Sequence, residues 1–244
     1  SAAAACGCRS GSPVPGWGAL AGTAAGTLLV AIFVVRSLRA PGDTLLDVRL
    51  FANRSFGTSV ATLFLYSVSL FGLTLLLPLY VQAVSGASVS QAGLLMAPLG
   101  IGAIVTMPIA GRLTDRFGPL WPGLTGILLV LAGTLACTWV DAARSTAPLA
   151  AALLVVGLGH GVTTPSIMSA AYRTLPGTAV PGASTASQIS VRVGSAVGAA
   201  LIAVVLQSLT RSGGPGAQAY VGGLWWTFAI AAAALVPALL IPRR

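Results

Sequence analysis

Of the 244 residues, 56% are hydrophobic and only 7% are charged, where an ordinary soluble domain carries roughly a quarter. That composition excludes a water-soluble globule. The charges are 13 Arg and four Asp, with no Lys and no Glu, for a formal net charge of +9. The arginines stand singly or in pairs between long uncharged stretches and not along one basic face. The pattern is that of a polytopic membrane protein with its charges in loops, and no nucleic-acid partner is expected.

Missing residue types exclude several activities. Without lysine there is no retinal-type Schiff base, and no phosphate-binding loop ending in Gly-Lys for ATP hydrolysis. Cys6, Cys8, Cys137 and the single histidine, His160, lack zinc-site spacing, so neither a metal nor another cofactor is expected. One histidine inside an apolar segment, with no paired acids around it, argues against a catalytic triad and against an enzyme.

Along the chain, residues 1–16 read as an edge segment. The Ala-rich stretch Ser1–Pro15 is either an external loop or the stub of a lost helix. It has no initiator Met and no positively charged n-region, so Ser1 looks like a cut edge. A bilayer core of about 30 Å needs about 20 apolar residues per helix. The 57 uncharged residues between Arg54 and Arg112 are too many for one span and suffice for two, with a break expected at Ser85–Gln91. The same test gives seven spans, near 17–36, 56–84, 92–110, 121–140, 148–171, 184–208 and 220–241. Nine arginines (36, 39, 49, 54, 112, 116, 173, 243 and 244) fall on one side. Three (9, 144 and 211) fall on the other, and Arg192 stays inside span six. This bias predicts an external N-terminus and a cytoplasmic C-terminus.

Small residues at four-residue spacing, Gly18–Gly22–Gly26 and Gly194–Gly198, predict close helix contacts. Pro78, Pro98, Pro108, Pro165 and Pro237 predict kinks or breaks in or near the spans.

Between spans three and four lies Gly111-Arg112-Leu113-Thr114-Asp115-Arg116-Phe117-Gly118, read as a cytoplasmic turn with glycine at either end to let the chain reverse. Asp115 there either pairs with an arginine or a helix N-terminus as a latch that breaks when helices rock, or sits in an ordinary solvated turn.

This octapeptide resembles the G-x-L-x-D-R-x-G loop signature of the major facilitator superfamily, in its C-terminal copy. The flanking stretch Leu77–Pro119 is similar to the fourteen-span multidrug proton antiporters of that superfamily. So are Leu45-Leu46-Asp47-Val48-Arg49-Leu50-Phe51-Ala52-Asn53-Arg54, Gly157-Leu158-Gly159-His160-Gly161 and Gly194-Ser195-Ala196-Val197-Gly198. The resemblance runs from about residue 17 to the end. It implies an all-α membrane protein with seven transmembrane helices: the C-terminal six-helix bundle of the major facilitator fold plus one preceding helix. The implied organisation is an edge segment (1–16), an inserted helix and cytoplasmic linker (17–54) and the C-terminal bundle (55–244). The family's N-terminal six helices, with their membrane acid and antiporter motif, have no counterpart here. Alternating access needs two bundles rocking about a midplane site, so the missing N-terminal half is an expected partner.

Two places carry chemistry inside the spans. Ser184, Gln188, Arg192 and Ser195 form one polar stripe on span six, with Arg192 the only charge inside a span. Such a residue is either functional or snorkels to the surface. His160, followed by Thr163, Thr164 and Pro165, either exchanges protons with water or is a neutral ring bonded to a backbone carbonyl. No Asp or Glu lies inside a span, which points to the missing half for most of any proton coupling. Trp17, Trp121, Trp139, Tyr172, Tyr220, Trp225 and Trp226 sit near span ends, as in an interfacial belt. Phe64, Tyr66, Phe71 and Tyr80 lie deeper and either line a pocket for a flat or cationic compound or pack the core.

The expected function is export of hydrophobic or cationic small molecules from the cell membrane, coupled to proton entry. Its candidate pathway residues are Gln188, Arg192, Ser195, His160, Thr164 and Tyr66, and Gly111, Arg112, Asp115, Arg116 and Gly118 form the cytoplasmic motif. The small-molecule substrate, protons and the lipid bilayer are the other partners. The alternative is a non-transporting membrane fragment that packs against a partner bundle.

Overall fold

A computed structural model describes residues 53–140, 146–211 and 216–241. The span expected at 17–36 and its glycine triplet lie outside these residues, so a count of seven is not settled there. Among the described residues, six helical stretches are long and apolar enough to cross a membrane, and each coincides with one of the last six expected spans.

Local signals set most of the boundaries. Helix α1 (Arg54–Ser85) opens at Asn53, whose Oδ1 accepts the Ser55 N–H at 3.0 Å. It stops at Gly86, whose φ of 64° only glycine adopts readily. The expected break follows: Ser88 and Gln91 close a capping box that starts the short helix α2 (Val89–Leu95). Pro98 at the first turn of α3 (Ala97–Phe117) lacks an N–H for a continuous ladder, and the chain re-starts at Met96. Helix α4 spans Leu120–Trp139 and α5 spans Ala147–Tyr172. A 3-10 turn at Gly177–Ala179 leads into α6 (Val180–Arg211), and α7 spans Gly216–Leu239.

Two boundaries that bear on the site differ from expectation. Helix α3 runs to Phe117 where span three was expected to end near 110, so Gly111–Phe117 form its last two turns and not a turn between helices. Only Gly118, at φ 79°, leaves helical geometry. Gly111 does not stop the helix because nothing forces it into a left-handed conformation. Helix α6 begins four residues earlier than expected, which places Arg192 about 18 Å along it at 1.5 Å per residue.

The helices form two layers. The front is a row in the order α3, α5, α1, α6; behind it, α4 packs on α5 and α7, and α7 packs on α1. Close approach is built from glycine. A β-carbon on Gly102 of α3 would lie 2.6 Å from the Leu154 carbonyl oxygen of α5, and one on Gly157 would overlap the Leu99 carbonyl. Across the row, one on Gly194 would lie 2.7 Å from the Phe64 carbonyl oxygen, and one on Gly198 would overlap that of Val68. The Gly194–Gly198 pair is thus a packing surface, as its spacing predicts. The core between the layers is aliphatic, with Leu63, Leu73, Leu76, Leu77, Ile127, Leu149 and Leu153 fully enclosed. Burial divides the row sharply: 67% of the apolar window of α1 is buried, against 11% for α2–α3 and 17% for the turn and α6.

Candidate functional site

The α1–α5 interface is held at two anchor points. At one end Ser55 Oγ donates to the Ala170 carbonyl at 3.3 Å. Deeper in, Tyr66 Oη and His160 Nδ1 lie 2.9 Å apart, with their rings stacked at 5.8 Å between centroids and 11° between planes. The anchors are eleven residues apart on α1 and ten apart, in the opposite sense, on α5, so the helices run antiparallel in register. Residues of α1 at i, i+4, i+7 and i+11 share one face: Ser55, Ser59, Thr62 and Tyr66, all buried. On α5, Thr163 and Ser166 are also fully buried, with Thr163 Oγ1 donating to the Gly159 carbonyl at 2.8 Å and Ser166 bonded to Thr114 of α3. Of the four α1 hydroxyls, Ser55 and Tyr66 reach α5, and Thr62 Oγ1 donates back to the Thr58 carbonyl at 2.8 Å. Ser59 Oγ is buried without a hydrogen-bond partner among the described residues.

Three of the expected pathway residues meet here. Thr164 Oγ1 is 3.5 Å from the same His160 nitrogen that faces Tyr66. The histidine's partner is a hydroxyl from another helix, where a backbone carbonyl was the plainer expectation. Pairs of residues 94 positions apart leave no local trace in the sequence. The hydroxyl stripe does leave one, because Ser55, Ser59, Thr62 and Tyr66 recur at helical spacing.

The other three expected residues lie on α6. Gln188 and Arg192 are exposed and make no hydrogen bond or ion pair among the described residues, while Ser195 Oγ donates to the Val191 carbonyl at 2.7 Å. Gly194 and Gly198 pack on Phe64 and Val68, so α6 runs parallel to α1. Arg192 therefore sits about one turn, or roughly 6 Å, from the level of Tyr66. The arginine's level is eight residues, or about 12 Å, in from Arg54 at the start of α1.

The octapeptide occupies the arginine-rich end, where Arg54, Arg112, Arg116 and Arg173 are all exposed. Its Thr114 is buried and lies 3.0 Å, Oγ1 to Oγ, from Ser166 of α5. Asp115 is exposed and forms no ion pair among the described residues, so no latch is closed within this bundle. A β-carbon on Gly111 would meet open space. Arg173 lies against Gly118, its Nη1 3.7 Å from a β-carbon position there. The same end is tied by Asn53 Nδ2, which donates to Thr174 Oγ1 at 3.2 Å. Sequence reading passed over Thr114, Ser166 and Thr174, which look like filler in an apolar run.

The deep aromatics part company. Tyr66 and Tyr80 are buried, the latter against Tyr220 with centroids 5.6 Å apart, whereas Phe71 is exposed. Trp121 and Trp139 are exposed near helix ends, as an interfacial belt requires. Among the described residues no cluster of His, Cys, Asp or Glu can hold a metal ion.

Comparison with known proteins completes the picture. The profile of the Major Facilitator Superfamily matches residues 13–199 and, in a second alignment, 59–244. A multidrug resistance protein B homolog of Mycobacterium tuberculosis is 37% identical over 183 residues, covering 74% of this chain and 34% of that protein. A tetracycline resistance determinant of Streptomyces rimosus is 30% identical over 204 residues, covering 78% of this chain and 56% of that protein. The multidrug efflux pump LfrA of Mycolicibacterium smegmatis is 30% identical over 198 residues, covering 80% and 38% respectively. The chain thus spans between about a third and just over half the length of these curated relatives. With matches over most of its length, six apolar helices and no strand among the described residues, the chain belongs to the Major Facilitator Superfamily.

Proposed function

We propose that this chain is the C-terminal bundle, with one preceding helix, of a proton-coupled exporter of hydrophobic or cationic small molecules. The observation that carries the reading is Arg192, exposed and unpaired among the described residues about 18 Å along α6. A charge at that depth costs a few kcal/mol in lipid unless water or a partner meets it. In the proposed arrangement the α6 stripe of Gln188, Arg192 and Ser195 borders a water-filled path, with Tyr66, His160 and Thr164 on the neighbouring central helices. The scant burial of α2–α3 and α6 supports a second bundle docked on the row. The arginine-rich end, with the octapeptide, faces the cytoplasm in this reading.

The test is transport by the full-length gene product in proteoliposomes. Ethidium should be driven out by an imposed pH gradient, and dissipating that gradient should stop it. Transport that persists without the gradient removes the proton coupling, and no ethidium movement at all removes the export of hydrophobic cations.

A further inference from the structure

We propose that the pocket at the end of the bundle opposite the arginines is a second small-molecule site, and that it takes uncharged amphipathic compounds carrying a hydrogen-bond acceptor. The inference rests on the export reading for its purpose, as a resting place before release, and on geometry for its parts.

The pocket has a volume of about 570 Å³, within the range of sites that enclose a drug-sized compound. Interruptions of helix wall it. Helix α1 ends at Gly86, the capping box of Ser88 and Gln91 starts α2, and α2 gives way to α3 at Met96. The first turn of α5, with Thr146 and Ala150, closes the remaining side. Farther in, α3 and α5 meet backbone to backbone through Gly102 and Gly157, so the space belongs to their ends.

Its depth sets it apart from the polar stripe of α6. Val81, at the inner edge of the pocket, lies 27 residues beyond Arg54, or about 40 Å along α1. A bilayer with its headgroup regions is about 40–45 Å thick, so with the arginines at one surface the pocket stands at the other. Along α1 it is roughly 28 Å beyond the level of Arg192, too far for one small molecule to fill both places.

The lining defines the ligand. Val81, Leu95, Pro98 and Ala150 offer an apolar wall, and Gln91 and Thr146 offer hydrogen-bonding groups. Gln91 is held in place, because its Oε1 accepts the Ser88 N–H at 2.9 Å while Ser88 Oγ accepts the Gln91 N–H. The Nε2 end of that carboxamide makes no hydrogen bond among the described residues and keeps both hydrogens to donate. Thr146 precedes α5 without capping it through its side chain, so its hydroxyl is also free to donate. Two donors beside an apolar wall suit a carbonyl or ether oxygen on an apolar body. No charged side chain is among the lining residues. A cation would therefore enter with its charge unpaired, and so would the phosphate of a phospholipid, at a cost that an uncharged compound avoids.

Binding to the full-length protein in phosphatidylcholine nanodiscs tests the site, with tritiated progesterone as the probe: it is uncharged, apolar and carries two ketone oxygens. Gln91→Glu keeps the oxygen that caps α2 and loses the donor, and it should weaken progesterone binding at least tenfold. Thr146→Val should weaken it several-fold, and Ala150→Trp, which fills the pocket, should abolish it. Ethidium in hundredfold excess should leave bound progesterone in place. Absence of binding by the wild type, unchanged affinity in Gln91→Glu and Ala150→Trp, or displacement by ethidium overturns the proposal. So does a phospholipid that co-purifies with the wild type, is lost in Ala150→Trp and must be stripped before progesterone binds, which would make the pocket a lipid site. These readouts need no transport: a protein that moves no ethidium removes the export reading and leaves the binding measurements to decide this one.

Discussion

Thr114 Oγ1 and Ser166 Oγ lie 3.0 Å apart in a buried pair that fastens the octapeptide helix to the central helix α5. Thr114 is the one residue of Gly111–Gly118 whose side chain points into the bundle and is buried there. Removing one hydroxyl strands the other: Ser166→Ala is expected to destabilise the purified protein by about 1–2 kcal/mol. The Thr114→Val, Ser166→Ala double variant should recover part of that, with a coupling of about 0.6 kcal/mol or somewhat more. Thermal unfolding in detergent checks both figures, and strict additivity would contradict the pair.

Glycine at 157 and glycine at 111 serve different ends. A β-carbon at Gly157 overlaps the Leu99 backbone, which cannot move away as a flexible side chain could. Gly157→Ala should therefore force α3 and α5 apart and cost several kcal/mol, seen as loss of folded protein on size-exclusion chromatography. At Gly111 the space is open, and alanine should be neutral or stabilise the helix by about 0.5–1 kcal/mol. Loss of transport in a stable Gly111→Ala protein would then show that its open side is covered by something outside this bundle.

Asp115 is exposed and unpaired within the bundle, so Asp115→Asn should leave the melting temperature unchanged. A latch made to the other half would still be lost, and initial efflux rates should fall several-fold at equal abundance. An unchanged rate leaves the residue as a solvated position on a protruding helix.

Arg192→Ala in the full-length protein should abolish ethidium efflux without lowering its amount in the membrane. The side chain is exposed, so its removal costs the fold little. Equal efflux at equal abundance would remove Arg192 from the pathway.

The sequence was most legible where physics is local. Charge-free runs of 20 or more residues located most of the helices, and the polar stretch Ser85–Gln91 marked the break between spans. Gly194 and Gly198 marked a contact. The octapeptide misled because arginine, aspartate and glycine read as a turn, and periodicity does not reveal where a helix leaves the bilayer. In fact α3 carries those residues two turns onward as helix. The site was half legible. Tyr66, His160 and Thr164 were each visible as polar residues in apolar surroundings, but their meeting depends on the register of α1 against α5, which contacts 94 and 115 positions apart set across the fold. Ser59 and Thr62 show as helical spacing, but uncharged hydroxyls bond to a helix backbone as readily as to a partner, so that spacing alone commits them to neither.

The central claim is that the polar stripe of α6 borders water and its apolar neighbours do not. Thiol accessibility measures this directly, in full-length protein whose native cysteines, including Cys6, Cys8 and Cys137, have been replaced. Gln188→Cys and Arg192→Cys should react with a membrane-impermeant thiol reagent at least a hundredfold faster than Ile189→Cys and Val193→Cys, which are also exposed on the same helix. Slow, equal reaction at all four positions would place the stripe in lipid and contradict the account.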